Sequence, residues 1–350
     1  MNPQLIPYRD GEKWGFADPQ GNVIIPCTFE EVHPFQEGLA AVMLDGLIGF
    51  IDTTGKLVVP ADYEDVANFT DGLAAVMSDD KYGYVNTQNN LVIPCIYDYA
   101  GLFKNGFAEV EIDEQHGVID AQGNEVVELG DNFIIEVQNN LAFLARDEQY
   151  EIIDLKTQQM VPLDYDDLDV GNQTHLIAVA QMFEDGPAYG YISPEGKLLI
   201  DFDFEQAYGF FEGRAIIMEE ERYGFINEAG QVIVKPTYDD AQEFSEGLVA
   251  LKKGEKWGFM DKDGNEAIPF KYDYVGSFQN GRAYIRQGAL YGFIDSKGEV
   301  VIPIKYTADV QQLDEVDVEF FQSFENGVAL VNIGEKMGYI DVNGKEYFKG

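Results

Sequence analysis

The chain has 350 residues, with 63 acidic against 23 basic side chains and a net charge of −40. Its 45% hydrophobic content excludes a disordered acidic tail. The charge excludes nucleic acid and anionic membrane surfaces as partners, since both need patches of Lys and Arg.

In chain order, the first ten residues carry neither a basic region nor an apolar stretch, so no signal peptide and a cytoplasmic location are expected. No run approaches the roughly 18 apolar residues of a membrane span. One pattern then recurs. Trp14-Gly15-Phe16-Ala17-Asp18 returns as Ile48-Gly49-Phe50-Ile51-Asp52, Tyr82-Gly83-Tyr84-Val85-Asn86 and His116-Gly117-Val118-Ile119-Asp120, with glycines 34 apart. A degenerate copy, Tyr150-Glu151-Ile152-Ile153-Asp154, keeps the spacing without the Gly. Five more are anchored at Gly190, Gly224, Gly258, Gly292 and Gly338, and the period stretches to 39 before Gly190 and to 46 before Gly338.

Within one copy, Gly49-Phe50-Ile51-Asp52 reads as a strand and Asp52-Thr53-Thr54-Gly55 as a turn capped by the Asp carboxylate. Lys56-Leu57-Val58-Val59 returns as a second strand that Pro60 ends. A connector leads to Phe69-Thr70-Asp71-Gly72, and Leu73-Ala74-Ala75-Val76 is the third strand. In a later copy, the spacing of Tyr238, Ala241 and Phe244 allows one helical turn in the connector. The Gly before each ring marks a close approach between strands or a bulge. The Trp or Tyr before that Gly is expected to pack against the adjacent unit.

Lys13-Trp14-Gly15-Phe16 and Lys256-Trp257-Gly258-Phe259 give the pattern its clearest form, and the whole chain resembles the WG-repeat (KWG-repeat) family of bacterial tandem-repeat proteins. That resemblance implies a β-rich repeat scaffold and no common catalytic activity. Three strands per unit cannot bury their own apolar faces, so neighbouring units must cover them. Closed propellers use four to eight four-stranded blades, typically. The expected fold is therefore all-β: about ten three-stranded units of 34 residues in an open, curved, solenoid-like superhelix. Two five-unit propeller-like halves are the alternative. The expected organisation is repeats 1–5 over residues 1–162, an irregular acidic junction over 163–188, and repeats 6–10 over 189–350 with an acidic insertion at 307–321.

Catalytic motifs are absent: no Gly-x-Ser-x-Gly, no His-Glu-x-x-His and no P-loop occurs. His33, His116 and His175 share no ligand spacing. Cys27 and Cys95 lie two units apart, too far for a disulfide. The turn Asp residues (18, 52, 120, 154, 261, 295, 341) come one per turn, without a calcium-loop pattern. No cofactor or metal is expected, and the protein is not expected to be an enzyme.

Two stretches gather acid without base. Asp164, Asp166, Asp167 and Asp169 lie between Lys156 and Lys197, which enclose no Lys or Arg. Asp309, Asp314, Glu315, Asp317 and Glu319 precede Lys336 and are joined by Phe320 and Phe321. Insertions in repeat arrays map to loops and often to a binding face. These residues are the expected partner-binding set. The expected function is a non-enzymatic interaction scaffold, in sharper form an acidic inhibitor or immunity protein that binds a basic protein partner. The alternative is a carbohydrate- or peptidoglycan-binding module using exposed Trp14, Trp257 and Tyr rings.

Overall fold

The computed structural model describes residues 5–146, 149–307, 323–334 and 336–349. The chain divides into two compact units, residues 1–163 with 347–350 and residues 164–346. Both are all-β.

The building block is an antiparallel sheet of four strands, not three. Across residues 65–97 the spatial order is Leu91–Tyr97, Lys81–Asn86, Leu73–Ser78, Asp65–Val66. The three longer strands are those read from the sequence. The fourth is a two-residue lead strand in the connector, where Asp65 and Val66 pair with Met77 and Val76. The connector holding Tyr238, Ala241 and Phe244 likewise forms the lead strand Asp240–Ala241 rather than a helical turn. Among the described residues, eight sheets have four strands. The sheet over 39–63 has three, with its lead strand reduced to the single bridge Val32↔Val42. Among the described residues, Val328–Ile333 and Lys336–Asp341 form a two-stranded sheet.

Four-stranded sheets repeated in sequence are propeller blades, and the expectation of an open array of three-stranded units is corrected accordingly. The last strand, Phe348–Lys349, pairs with Ile6–Asp10 through Arg9↔Phe348 and Asp10↔Lys349. It occupies the lead-strand edge of the first sheet. An open array would leave that edge with unpaired N–H and C=O groups; here Phe348–Lys349 pairs with part of it. The five-plus-five alternative fails too, because the first unit takes this strand from the far end of the sequence.

The repeat Gly has a steric cause. In each sheet of three or four strands with a Gly at the anchor position, the register slips between the middle strand and the last one. Ile48 faces Tyr63 while Phe50 faces Val59, so the last strand bulges over residues 60–62. That bulge lies on the Gly. A Cβ at Gly49 would sit 2.5 Å from the Val59 carbonyl oxygen, and one at Gly83 would sit 2.5 Å from that of Ile93. Pro60 and Pro94 stand in the bulge, where no ladder hydrogen bond is asked of them. The degenerate copy supports this reading. Where Glu151 replaces Gly, Met160–Leu163 pairs with Gln149–Asp154 without any slip.

Cores lie between consecutive sheets. Leu39, Phe50 and Val59 of one sheet pack with Val66, Phe69 and Val76 of the next. The recurrent contact is edge-on or tilted, between the ring after the Gly and a connector Phe 19 residues later. Phe16–Phe35, Phe50–Phe69, Tyr84–Phe103, Tyr191–Phe210, Phe225–Phe244 and Phe259–Phe278 have centroids 4.7–5.0 Å apart. The principal inter-sheet ring is thus the one after the Gly, while Trp257, before it, makes a further T-shaped contact with Tyr274 of the next sheet.

Candidate functional site

Much of the acid has work inside the repeat, at three positions. The Asp closing the middle strand caps its own turn: Asp52 Oδ1 accepts from the N–H of Thr54 at 2.8 Å and of Lys56 at 3.1 Å. The Thr54 hydroxyl and these N–H groups hold the Asp52 carboxyl below its ordinary range. The acid after the last strand reaches the next hairpin tip. Glu30 accepts from Gly46 N–H at 2.9 Å and Asp98 from Asp113 N–H at 2.9 Å. The same acid pairs with the basic residue before the Trp or Tyr, as in Lys13–Glu30 at 3.4 Å and in Lys81–Asp98 and Lys256–Asp273. The third acid stands in the two-residue turn before Leu73 and its equivalents. Asp71 and Gly72 both have positive φ, 51° and 78°, the requirement of a type I′ turn. Its carboxylate accepts from the equivalent turn one repeat on: Asp71 from Gly106 at 2.8 Å, Glu37 from Gly72 at 2.9 Å, and Glu246 from Gly281 at 2.8 Å.

The acidic segment 164–169 meets this scaffold at the start of the second unit. Asp166 Oδ2 accepts from Met182 N–H at 2.6 Å, in the role of Glu30 and Asp98. Asp167 Oδ2 accepts from the Tyr189 hydroxyl at 2.7 Å, as Asp65 does from Tyr82. Asp169 Oδ2 accepts from Gly209 N–H at 3.2 Å, and burial followed by the charges of Asp167 and Glu243 pushes its carboxyl up. Asp164 is exposed. The span 163–188 carries the lead strand Asp167–Asp169, the strand Ile177–Phe183 and the start of Gly186–Ile192. The residues Asp309, Asp314, Glu315, Asp317, Glu319, Phe320 and Phe321 lie outside the described residues.

Two features adjoin that segment, and neither was legible as a site. The first is a surface patch. The hairpin of Ile177–Phe183 and Gly186–Ile192 ends with Met182 59% and Phe183 49% exposed. The Phe183 ring contacts Phe202 at 5.8 Å, and Phe202 contacts Tyr165 at 6.0 Å. Asp164, Asp166, Glu184 and Asp185 flank these rings and are exposed.

The second is a cleft made of two adjoining cavities of about 510 and 310 Å3, which share Phe211, Glu243 and Phe244. The smaller is bounded by Asp169, Tyr208, Tyr223 and Arg214. The larger is bounded by Glu325, Tyr284, Ser245 and Ser277. At the wall of the smaller cavity Gly209 lies against Gly171: a Cβ on Gly209 would sit 2.0 Å from Gly171 N. Gly171, 19 residues after Ile152, stands where most connectors carry the inter-sheet Phe and one carries Val137. That loss of the Phe was the available sequence signal. Arg214 is turned to carbonyls, donating from Nε to Lys262 O at 2.9 Å and from Nη1 to Gly213 O at 2.7 Å.

The other candidates lie in structural settings. Trp14 and Trp257 are 6% and 3% exposed, so neither offers the open ring face that a sugar platform needs. His116 Nδ1 lies 3.3 Å from Glu109, and His175 Nε2 lies 3.1 Å from Glu228. His33 lies 3.9 Å from Glu31. Cys27 and Cys95 are free thiols directed at the Tyr8 and Val76 carbonyls at 3.6 and 3.7 Å. Among the described residues, no group of three or more His, Cys, Asp or Glu is placed to hold a metal ion, and no helix is long and apolar enough to cross a membrane.

The chain is similar in fold to a solved eukaryotic initiation factor, at 10% identity and TM-score 0.51, over 85% of this chain and 95% of that one. Weaker likenesses are to Porphyromonas gingivalis dipeptidyl peptidase 4 (11% identity, TM-score 0.47, 76% and 58% covered) and to Kluyveromyces lactis Hsv2 (9%, 0.36, 66% and 96%). At these identities only the first carries information, and it concerns the fold alone. No curated protein matches the sequence. The WG containing repeat matches at residues 14–47, 48–82, 82–115, 189–223, 223–257, 257–291 and 291–308. These matches span more than half of the sequence and fall on the Gly-centred repeats, and the chain belongs to the WG-repeat family.

Proposed function

We infer that this repeated β-scaffold is a protein-interaction module, a reading that its family and fold fit. We propose that this one is non-enzymatic and binds a basic, partly apolar protein segment on the patch around Phe183. The supporting observation is the union of exposed Met182 and Phe183 with carboxylates on a stretch devoid of Lys and Arg. Contiguous apolar side chains rimmed by charge mark interaction surfaces, and the sign of the rim selects a cationic partner and speeds its approach. An inhibitor or immunity role toward a cationic protein, acting in the cytoplasm, is the sharper form of the same proposal.

The test is binding of a lysine-rich amphipathic peptide and its glutamate-rich counterpart to the wild type and to Phe183→Ser, at low and high salt. The proposal expects the lysine peptide alone to bind, with affinity that falls as salt rises and falls at least about tenfold in Phe183→Ser. Equal binding of both peptides, or no effect of the substitution, refutes it.

A further inference from the structure

The cleft in the second unit has a composition of its own. Its larger cavity, about 510 Å3, is bounded by Glu243 and Glu325, with no basic side chain among the described residues of its wall, and by the rings of Phe211, Phe244 and Tyr284. The smaller cavity adds Asp169 and the rings of Tyr208 and Tyr223. The guanidinium of Arg214, the one cation among the described residues of the cleft wall, donates to the carbonyls of Gly213 and Lys262. Carboxylates are therefore spaced along an aromatic-walled cleft without partnered cations inside it. Glu243 and Glu325 stand exposed along the cleft, and their charge favours a bound cation, which ring faces attract through their quadrupoles. Serine hydroxyls at Ser245 and Ser277 add acceptors for N–H groups. With the carboxylates of Asp169, Glu243 and Glu325 against the one guanidinium of Arg214, the cleft is net negative and disfavours an anion.

We propose that this cleft is a binding site for alkylammonium groups, with Glu243, where the two cavities meet, as the principal counter-ion. The extent of the cleft, with Asp169 toward one end and Glu325 toward the other, suits a linear chain bearing more than one ammonium group. This chemistry has two sources, a free linear diamine or polyamine and a lysine side chain of a protein. The site stands apart from the Phe183 patch and does not depend on the partner reading.

The test is calorimetric titration with 1,5-diaminopentane, with 1,5-pentanediol as the uncharged isostere and with an end-blocked lysine tripeptide. The wild type, Glu243→Gln, Asp169→Asn and Phe183→Ser are compared, each first shown to have an unaltered thermal midpoint or corrected to the folded fraction. Saturable binding of the diamine, none of the diol, a loss of at least about tenfold in Glu243→Gln and no loss in Phe183→Ser establish the site. Tighter binding of the lysine tripeptide than of the diamine assigns it to protein side chains; the reverse assigns it to free amines. Binding of neither, or diamine binding that Glu243→Gln leaves unchanged, overturns the proposal.

Discussion

The sheets over 65–97 and 132–163 come from the same repeat, and they solve the same packing problem differently. The first has Gly83, a Pro94-containing bulge lying on it, and the Tyr84–Phe103 ring contact to the next sheet. The second has Glu151, an unbroken ladder to Met160–Leu163, and Gly171 where the next connector would bring a Phe. Gly, bulge and ring pair disappear together. The bulge needs an absent Cβ beneath it, so once Glu occupies that position the last strand must run straight. The WG signature is thus a record of one backbone collision avoided in repeat after repeat.

The comparison can be broken by mutation. The largest effect is expected from Phe69→Ala, which empties one side of the Phe50 contact in a core residue 1% exposed and should cost about 4 kcal/mol in urea unfolding. Val137→Ala, at the equivalent connector position of the irregular copy, should cost about 1 kcal/mol. Next, Gly83→Ala should cost about 3 kcal/mol by forcing a methyl onto the Ile93 carbonyl. Glu151→Ala should change stability by less than about 1 kcal/mol. Similar losses at Gly83 and Glu151 would sink the bulge account.

A smaller effect belongs to the carboxylate that joins one turn to the next. Glu246→Ala removes the acceptor of Gly281 N–H and leaves Ala at a φ of 51°, which should cost about 1.5 kcal/mol and speed amide exchange at Gly281. Unchanged exchange there would deny the link.

The smallest effects are in pH. Asp52 and Asp261 are held below the ordinary carboxylate value, chiefly by Thr54 and by Asn265. Their native form is favoured above the unfolded-state value, and that contribution disappears as pH falls through their depressed native values, so thermal midpoints should drop below about pH 4. Asp169 has the opposite sign. Burial, with Asp167 and Glu243, raises its carboxyl, so its contribution is present below the unfolded-state value and lost as pH rises through the native one. Asp169→Asn should therefore raise the thermal midpoint at neutral pH and leave it unchanged in acid. A lower midpoint at pH 7 would show that its bond to Gly209 outweighs the burial cost.

The charge of −40 shows how differently function and structure are written in such a chain. Asp164 to Asp169 read as an irregular acidic stretch, yet Asp166 and Asp167 repeat the roles of Glu30 and Asp65 one or more units earlier. A stretched period hid the equivalence. The cleft was invisible for a related reason: its walls come from residues 169, 211, 243 and 284, which no local pattern links. Only Gly171, at a connector position where Phe is the rule, hinted at an opening there.

The sequence by itself determined the period, the three longer strands of each unit, the Asp-capped turns and the need for Gly before the ring. Those follow from contacts within a few residues, and local chemistry is repeated faithfully enough to be read. Tertiary structure alone decided the fourth strand and the closure of the first sheet. A two-residue strand such as Asp65–Val66 is too short to show alternation, and it becomes a strand only because Met77 and Val76 offer it an edge. The pairing of Arg9 with Phe348 joins opposite ends of the chain. It is set by an unpaired backbone edge seeking partners, which leaves no mark on either segment.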